Sequence, residues 1–248
     1  MNQIYQSLLN RKSVRIFEEK EIPLNIKEAV LNAAFQAPTA GNQMLYSIID
    51  ITDPVVKEKL ADYCDHQTFI TKAPLVLVFL ADTRRWQDMY IEAGLEPRDP
   101  GAGDILLAIE DTMIAAQNSV VAAESFGLGS VYIGDSIENV ELMTELLNLD
   151  EFVIPISVVV YGYPTQQQKD RKKPIRFDQK YIVHENSYRR LSSDELRNSL
   201  KDMGQLDQLT YEEYMKRFYD RKFGSDFAKE MTRSSEIYLS HFIKNKSI

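Results

Sequence analysis

Cysteine occurs once, at Cys64, and histidine three times, at His66, His184 and His241. A single thiol excludes an internal disulfide and a thiolate metal cluster, and it fits a reducing compartment. Cys64 reads as core filler at a helix end. The histidines are scattered, with no HExxH pair or similar spacing, so no metal centre is expected. Positive charge is short as well. The 29 basic residues stand against 37 acidic ones, a formal net charge of −8, the reverse of a nucleic-acid binder's basic footprint. The longest apolar runs, such as APLVLVFLA, are of strand length, far below the roughly 20 residues that span a bilayer. The opening MNQIYQSLLNRKS lacks the continuous apolar core of a secretory signal. No GxxxxGK is present, and GLGS follows a helix rather than a strand, so the dinucleotide fingerprint fails in context. There is no internal repeat and no low-complexity segment. The expectation is a cytoplasmic protein that engages neither nucleic acid nor membrane.

What is present suffices for one core, or for one core with an excursion: 248 residues, 44% of them hydrophobic. A short amphipathic helix is predicted over 2–10. A second, over 24–37, places Ile26, Ala29, Val30, Ala33 and Ala34 on one face, with Asn25 as its N-cap and Pro38 as its stop. Strands are predicted at 46–51, 74–82, 130–134 and 154–163, and helices at 54–64 and 139–148. The run at 74–82 shows no clean alternation, as expected of a strand covered on both faces. Residues 103–130 form a long helix, capped by Asp104 and stopped by Gly127 and Gly129, with apolar side chains on nearly every face. Such a helix is buried by its own fold or by a second subunit. The last 60 residues carry two amphipathic segments, near 208–219 and 226–244, and no strand. The pattern is one-domain α/β or α+β with about four strands, their order and direction left open.

Polar and small residues gather where these elements end. RKSVRIF puts Arg11, Lys12 and Arg15 around Ser13, and like charges so close call for solvent or an anion between them. In PTAGNQ, Ala40 and Gly41 let a ligand approach the backbone. HQTFI holds Gln67, which can both donate and accept, and VYIGD ends a strand at Gly134. A second basic cluster, KDRKKPIRF, follows the last strand. Alone it reads as a solvated loop; two such clusters in an acidic chain raise the case for a shared anionic ligand.

In this order, RKSVRIF, APTAGNQ, a Gln after the third helix, AAESFGLGSVYIG, YGYP and VHENSY resemble the oxygen-insensitive nitroreductase and flavin reductase family, nearest its NADPH-preferring branch. The likeness runs over residues 5–190 and is looser beyond. It implies an α+β fold: a mixed, mainly antiparallel sheet flanked by helices, with a long central helix and a C-terminal helical arm. Residues 1–190 would be the FMN-binding domain and 191–248 its helical excursion. It also implies a homodimer with one FMN in each of two interfacial sites, the long helix building much of the interface. Arg11, Lys12 and Ser13 fall where the family binds the FMN phosphate. Arg15 falls beside the pyrimidine edge, Gln67 near the ring's polar rim, and Tyr132, Ile133 and Gly134 along the isoalloxazine. Thr39, Gly41, Asn42 and Phe69 belong to the same implied contact set. The family's later phosphate ligands lie in a Lys-Pro-Arg run, here Lys173, Pro174, Ile175 and Arg176 with one residue inserted, so the second cation is Lys172 or Lys173.

The implied activity is hydride transfer from NAD(P)H to a nitroaromatic, a quinone or free flavin by a ping-pong scheme. The flavin carries the chemistry, and no protein catalytic group is expected. A flavin-storage or regulatory protein, or another reductive reaction on the same scaffold, is the alternative. KRFYDRKFG offers Lys216, Arg217, Arg221 and Lys222. It reads either as a solvated helix face or, by likeness to the NADPH-preferring branch, as a 2′-phosphate contact through Arg221 or Lys222.

Overall fold

The structure, a computed structural model, describes residues 2–243. In chain order the elements are α1 (Gln3–Asn10), α2 (Leu24–Phe35), β1 (Tyr46–Asp50), α3 (Pro54–Tyr63), α4 (Phe69–Lys72), β2 (Leu75–Asp82), α5 (Arg84–Glu92) and α6 (Ala102–Ser125). There follow β3 (Gly129–Ile133), α7 (Val140–Leu147), β4 (Val153–Gly162), α8 (Gln166–Asp170), α9 (Ser193–Asp202), α10 (Tyr211–Lys222) and α11 (Asp226–Ser240). The four strands form one sheet in the order β1-β2-β4-β3, every neighbouring pair antiparallel. The only parallel element among the described residues is an isolated bridge between Ser13 and Ser130.

Both central strands, β2 and β4, are buried along their whole length. Strand periodicity sends Val76, Val78, Val158 and Val160 to one face, against Leu60, Ile70 and Met143 of α3, α4 and α7. It sends Leu75, Leu77, Phe79, Val159 and Tyr161 to the other, against Val30 and Ala34 of α2 and Ala115, Ala116, Val120 and Ala123 of α6. This two-sided cover is why LVLVFLA shows no alternation. Each such fully buried Val, Leu or Phe contributes roughly 1.5–3 kcal/mol. Alanines on the inner face of α6 let that helix lie close to the sheet. α6 alone among the described helices is long and apolar enough to cross a membrane, and close to half of its most apolar stretch is buried within the fold.

Several boundaries differ from the sequence reading. Asn25 lies inside α2, whose N-cap is Pro23 and has no side-chain bond. Asp104 is the third residue of α6, not its cap, and its carboxylate accepts the Gly101 N–H at 2.7 Å. Gly127 turns the chain with φ 75°, but Gly129 is already the first residue of β3. α9 has no counterpart among the expected helices. The described residues cluster into two compact units: one runs to Arg171 and resumes at Glu230, and the other is Lys172–Lys229. The expected boundary at residue 190 falls inside the second.

Candidate active site

Two glycines seat the first basic cluster. Residues 13–18 run along the sheet: the Val14 N–H donates to Ser130 O at 2.9 Å, Glu18 N–H to Tyr163 O at 2.8 Å, and Thr165 N–H to Ile16 O at 3.3 Å. A Cβ at Gly129 would stand 2.6 Å from Val14 Cγ2, and one at Gly162 would stand 2.7 Å from the Phe17 ring. The missing side chains are therefore what allow the segment to lie so close. Val14 faces inward and is buried, while Arg11, Lys12 and Ser13 stay partly accessible and Arg15 is exposed.

Along this seat three buried polar atoms have no hydrogen-bond partner: Arg11 Nη1, Ser130 Oγ and Thr165 Oγ1. Ser130 bridges Ser13, and Thr165 bonds Ile16, so all three border one segment. Orphaned buried donors are costly; Arg11 and Ser130 flank Ser13, while Thr165 lies farther along, beside Ile16. Among the described residues Arg11 and Arg15 have no ion-pair partner. Lys12 is differently placed. Its ammonium donates to Lys169 O at 2.6 Å and also to Arg171 O, which leaves one of its three N–H bonds. Arg171 returns the contact by donating from Nη2 to Ser13 O. The second basic cluster thus meets the first through Lys169 and Arg171, residues the sequence reading did not single out. Gln168, almost fully buried, accepts the Arg15 N–H at 3.3 Å.

Above the seat, the Arg15 guanidinium lies 5.9 Å from the centre of the Phe69 ring. Phe69 opens α4, and Gln67 just precedes it. The Gln67 amide donates to the carboxylate of Asp135, in the turn that ends β3. Tyr132 donates to Gln117 Oε1 of α6 at 3.1 Å; burial pushes its phenol well up, and the Arg11 guanidinium opposes that shift. Ile133 is buried, whereas Gly134 is exposed with open space where a side chain would be. Burial raises the Glu138 carboxyl to about 7, and the Asp135, Asp65 and Glu230 carboxylates add to the shift. The Cys64 thiol is pushed far up by burial and is inert core, as expected.

Thr39, Gly41 and Asn42 lie on a loop bound instead to Asp111 of α6 and to α5. No hydrogen bond, ion pair or ring contact joins that loop to residues 11–15 among the described residues. Lys173 and Arg176 belong to the second unit, on an irregular stretch where Lys173 is partly buried and Arg176 exposed. Arg221 and Lys222 end α10 in the same unit, both exposed, their cations 5.5 Å and 6.0 Å from the rings of Phe218 and Phe227.

The fold is α+β, and one buried guanidinium nitrogen, Arg11 Nη1, lies without a partner on the segment that the orphan hydroxyls of Ser130 and Thr165 border. A family model described as Nitroreductase family matches residues 8–163. An FMN reductase (NADPH) of Bacillus subtilis (strain 168) is 27% identical over 248 residues, 99% of this chain and 98% of its own. An oxygen-insensitive NADPH nitroreductase of Salmonella typhimurium (strain LT2) is 34% identical over 191 residues, 77% of each chain. The crystal structure of nitroreductase A from Vibrio parahaemolyticus RIMD 2210633 superposes with a TM-score of 0.81 at 26% identity, covering 96% of this chain and 98% of that one. The chain belongs to the nitroreductase family.

Proposed function

We propose that this chain is an NAD(P)H-dependent FMN oxidoreductase that reduces flavins, nitroaromatics or quinones. The observation that carries the reading is the orphan Arg11 nitrogen near Ser13 and the orphan Ser130 hydroxyl, in a chain of this family. FMN, when bound, supplies the acceptance and delivery of hydride. The protein's share is to bind and tune. Arg11 and Ser13 hold the phosphate, with Lys12 adding charge through its remaining N–H. Arg171 tethers the backbone of that seat. Arg15, exposed and unpaired among the described residues, lends positive charge to the redox ring. Gln67 is oriented by Asp135.

The functional unit is a homodimer. Two features support this: Leu106, Leu107, Met113 and Ile114 form an exposed apolar stripe on α6, and among the described residues no hydrogen bond, ion pair or ring contact joins the Thr39–Asn42 loop to the Arg11 seat of its own chain. A second copy would supply the loop and cover the stripe. Arg221 and Lys222 are proposed to favour NADPH through its 2′-phosphate, supported by their exposure and by the lack of any ion pair to either among the described residues. A cytoplasmic location is proposed with it, where reduced pyridine nucleotide is supplied.

The test is the purified protein itself. It should be yellow, release about one FMN per subunit on denaturation, and bleach when NADPH is added under nitrogen. A colourless protein that takes up no FMN would contradict the reading. A yellow one that NADPH leaves unbleached would make it a storage protein.

A further inference from the structure

We infer that Asp111 is a positioning residue for the flavin site: its buried carboxylate fixes the 39–46 loop in the shape that presents Gly41 and Asn42. The inference rests on the FMN reading above.

Asp111 stands in the middle of α6, 3% exposed, on a stripe otherwise made of Ile105, Ala108, Thr112, Ala115, Ala116 and Ser119. Packing against the sheet does not explain a charge there, but the donors that converge on it do. The Ala40 N–H reaches Oδ1 at 2.9 Å, the Leu45 N–H reaches Oδ2 at 3.1 Å, and the Thr39 hydroxyl donates to the same Oδ2. Thr39 Oγ1 in turn accepts the Met44 N–H at 2.7 Å. The carbonyl side of the loop is gripped from α5. Trp86 Nε1 donates to Gln43 O at 2.8 Å, and Arg85 donates to Met44 O at 3.1 Å and Tyr46 O at 2.9 Å.

The grip opposes a backbone that would otherwise relax. Gly41, Asn42 and Met44 have φ of 56°, 58° and 51°, the left-handed region that non-glycine residues rarely adopt. Gly41 takes that conformation freely, but Asn42 and Met44 persist in it only where surrounding bonds over-determine them. After all these bonds are counted, the Gly41 N–H and the Asn42 side-chain amide have no partner among the described residues. They are what the clamped loop offers a ligand. Thr39, by contrast, gives its hydroxyl proton to Asp111 and accepts the Met44 N–H, so its part in binding is indirect.

Asp111→Asn keeps the shape but turns an NH₂ group toward N–H donors. The test compares D111N, T39V, T39S and the control T112V, which removes a buried hydroxyl one residue along the same helix that donates to Leu80 O and Ala108 O. Two quantities are measured for each: the melting temperature, and the FMN dissociation constant from flavin fluorescence on dilution of the holoprotein. D111N and T39V should weaken FMN binding about tenfold or more, T39S should recover most of what T39V loses, and T112V should lower the melting temperature without a matching loss of FMN. Exchange of the Ala40 and Leu45 amides should quicken in D111N. Should D111N fail to fold, the T39V and T39S pair decides the matter. FMN affinity in D111N and T39V that tracks melting temperature as T112V's does would overturn the inference. A parent protein without FMN would contradict the flavin reading as well; a parent with FMN beside indifferent D111N and T39V contradicts this inference alone.

Discussion

Two basic clusters in this chain look alike in sequence, RKSVR at 11–15 and KRFYDRK at 216–222, yet the fold treats them differently. The first lies along the sheet with Val14 buried between its cations, and Arg11 Nη1 is buried without a partner. The second rides a helix with no buried residue, its Lys216 paired to Asp220 and its Arg221 and Lys222 resting near aromatic rings. Their units differ in the same way. All the described buried carboxylates, Asp82, Asp111 and Glu138, lie in the first unit. The second unit relies on exposed ion pairs such as Arg189–Glu195 and Arg197–Glu212, each worth roughly 0–1 kcal/mol. The first cluster holds a buried nitrogen with an unmet donor, whereas the second is a solvated charged face.

The largest effect that could break this contrast comes from filling the space behind the first cluster. Gly129→Ala and Gly162→Ala push a Cβ to 2.6 Å from Val14 and 2.7 Å from Phe17. Each should cost roughly 1–3 kcal/mol or more and release FMN, read by urea denaturation and by bound flavin. Parent-like stability and flavin content would mean that the segment is not seated as described.

Glu138 offers a second test, through pH. Its folded value of about 7 lies above its ordinary one, so between roughly pH 4.5 and 7 the folded chain holds a proton that the unfolded chain has lost. Stability from this group is therefore full below that window, falls as pH rises through it, and is flat above. Glu138→Gln should match the parent near pH 4.5 and exceed it at pH 8 by on the order of 2 kcal/mol, seen in melting curves at the two values. A parallel pH dependence in both proteins would contradict it.

Arg15→Ala should keep FMN bound but lower its reduction potential by about 20 mV, near 1 kcal/mol for a two-electron couple, as fits an exposed charge. An unchanged potential would remove Arg15 from the redox role. The smallest effect belongs to the second cluster. Arg221→Ala with Lys222→Ala should raise KM for NADPH a few-fold, worth roughly 1 kcal/mol or less, and leave NADH and the flavin spectrum alone. Equal losses with both donors would assign the cluster to the fold.

β2 and β4 were legible because their Val, Ile and Leu runs leave little choice once length excludes a spanning helix, and β1 and β3, YSIID and GSVYI, from short β-branched and aromatic stretches. α9 was not, although Ser192 and Glu195 form its capping box, because only Ser199 and Leu200 of its face are buried. The cap of α2 was misplaced since Asn25 is a good capping residue in the wrong turn, one that Pro23 had already begun. In the site, the cations of RKSVR could be named from sequence. Their tie to Lys169 and Arg171 spans some 158 residues, and no local pattern encodes it. Gly129 read as a helix stop because the need for it, Val14, arrives from the far end of the chain. Asp111 carried no reading from sequence, because only the folded loop gives it donors.

Whether the first cluster seats a phosphate shows in a comparison of FMN with riboflavin, which lacks the phosphate. Dissociation constants for both ligands are measured with the parent and with Arg11→Ala. The parent should prefer FMN, and the variant should lose FMN affinity by about 1.5–3 kcal/mol, roughly 10- to 150-fold, while riboflavin binding stays as it was. A variant that keeps the parent's ratio of FMN to riboflavin affinity would contradict the account.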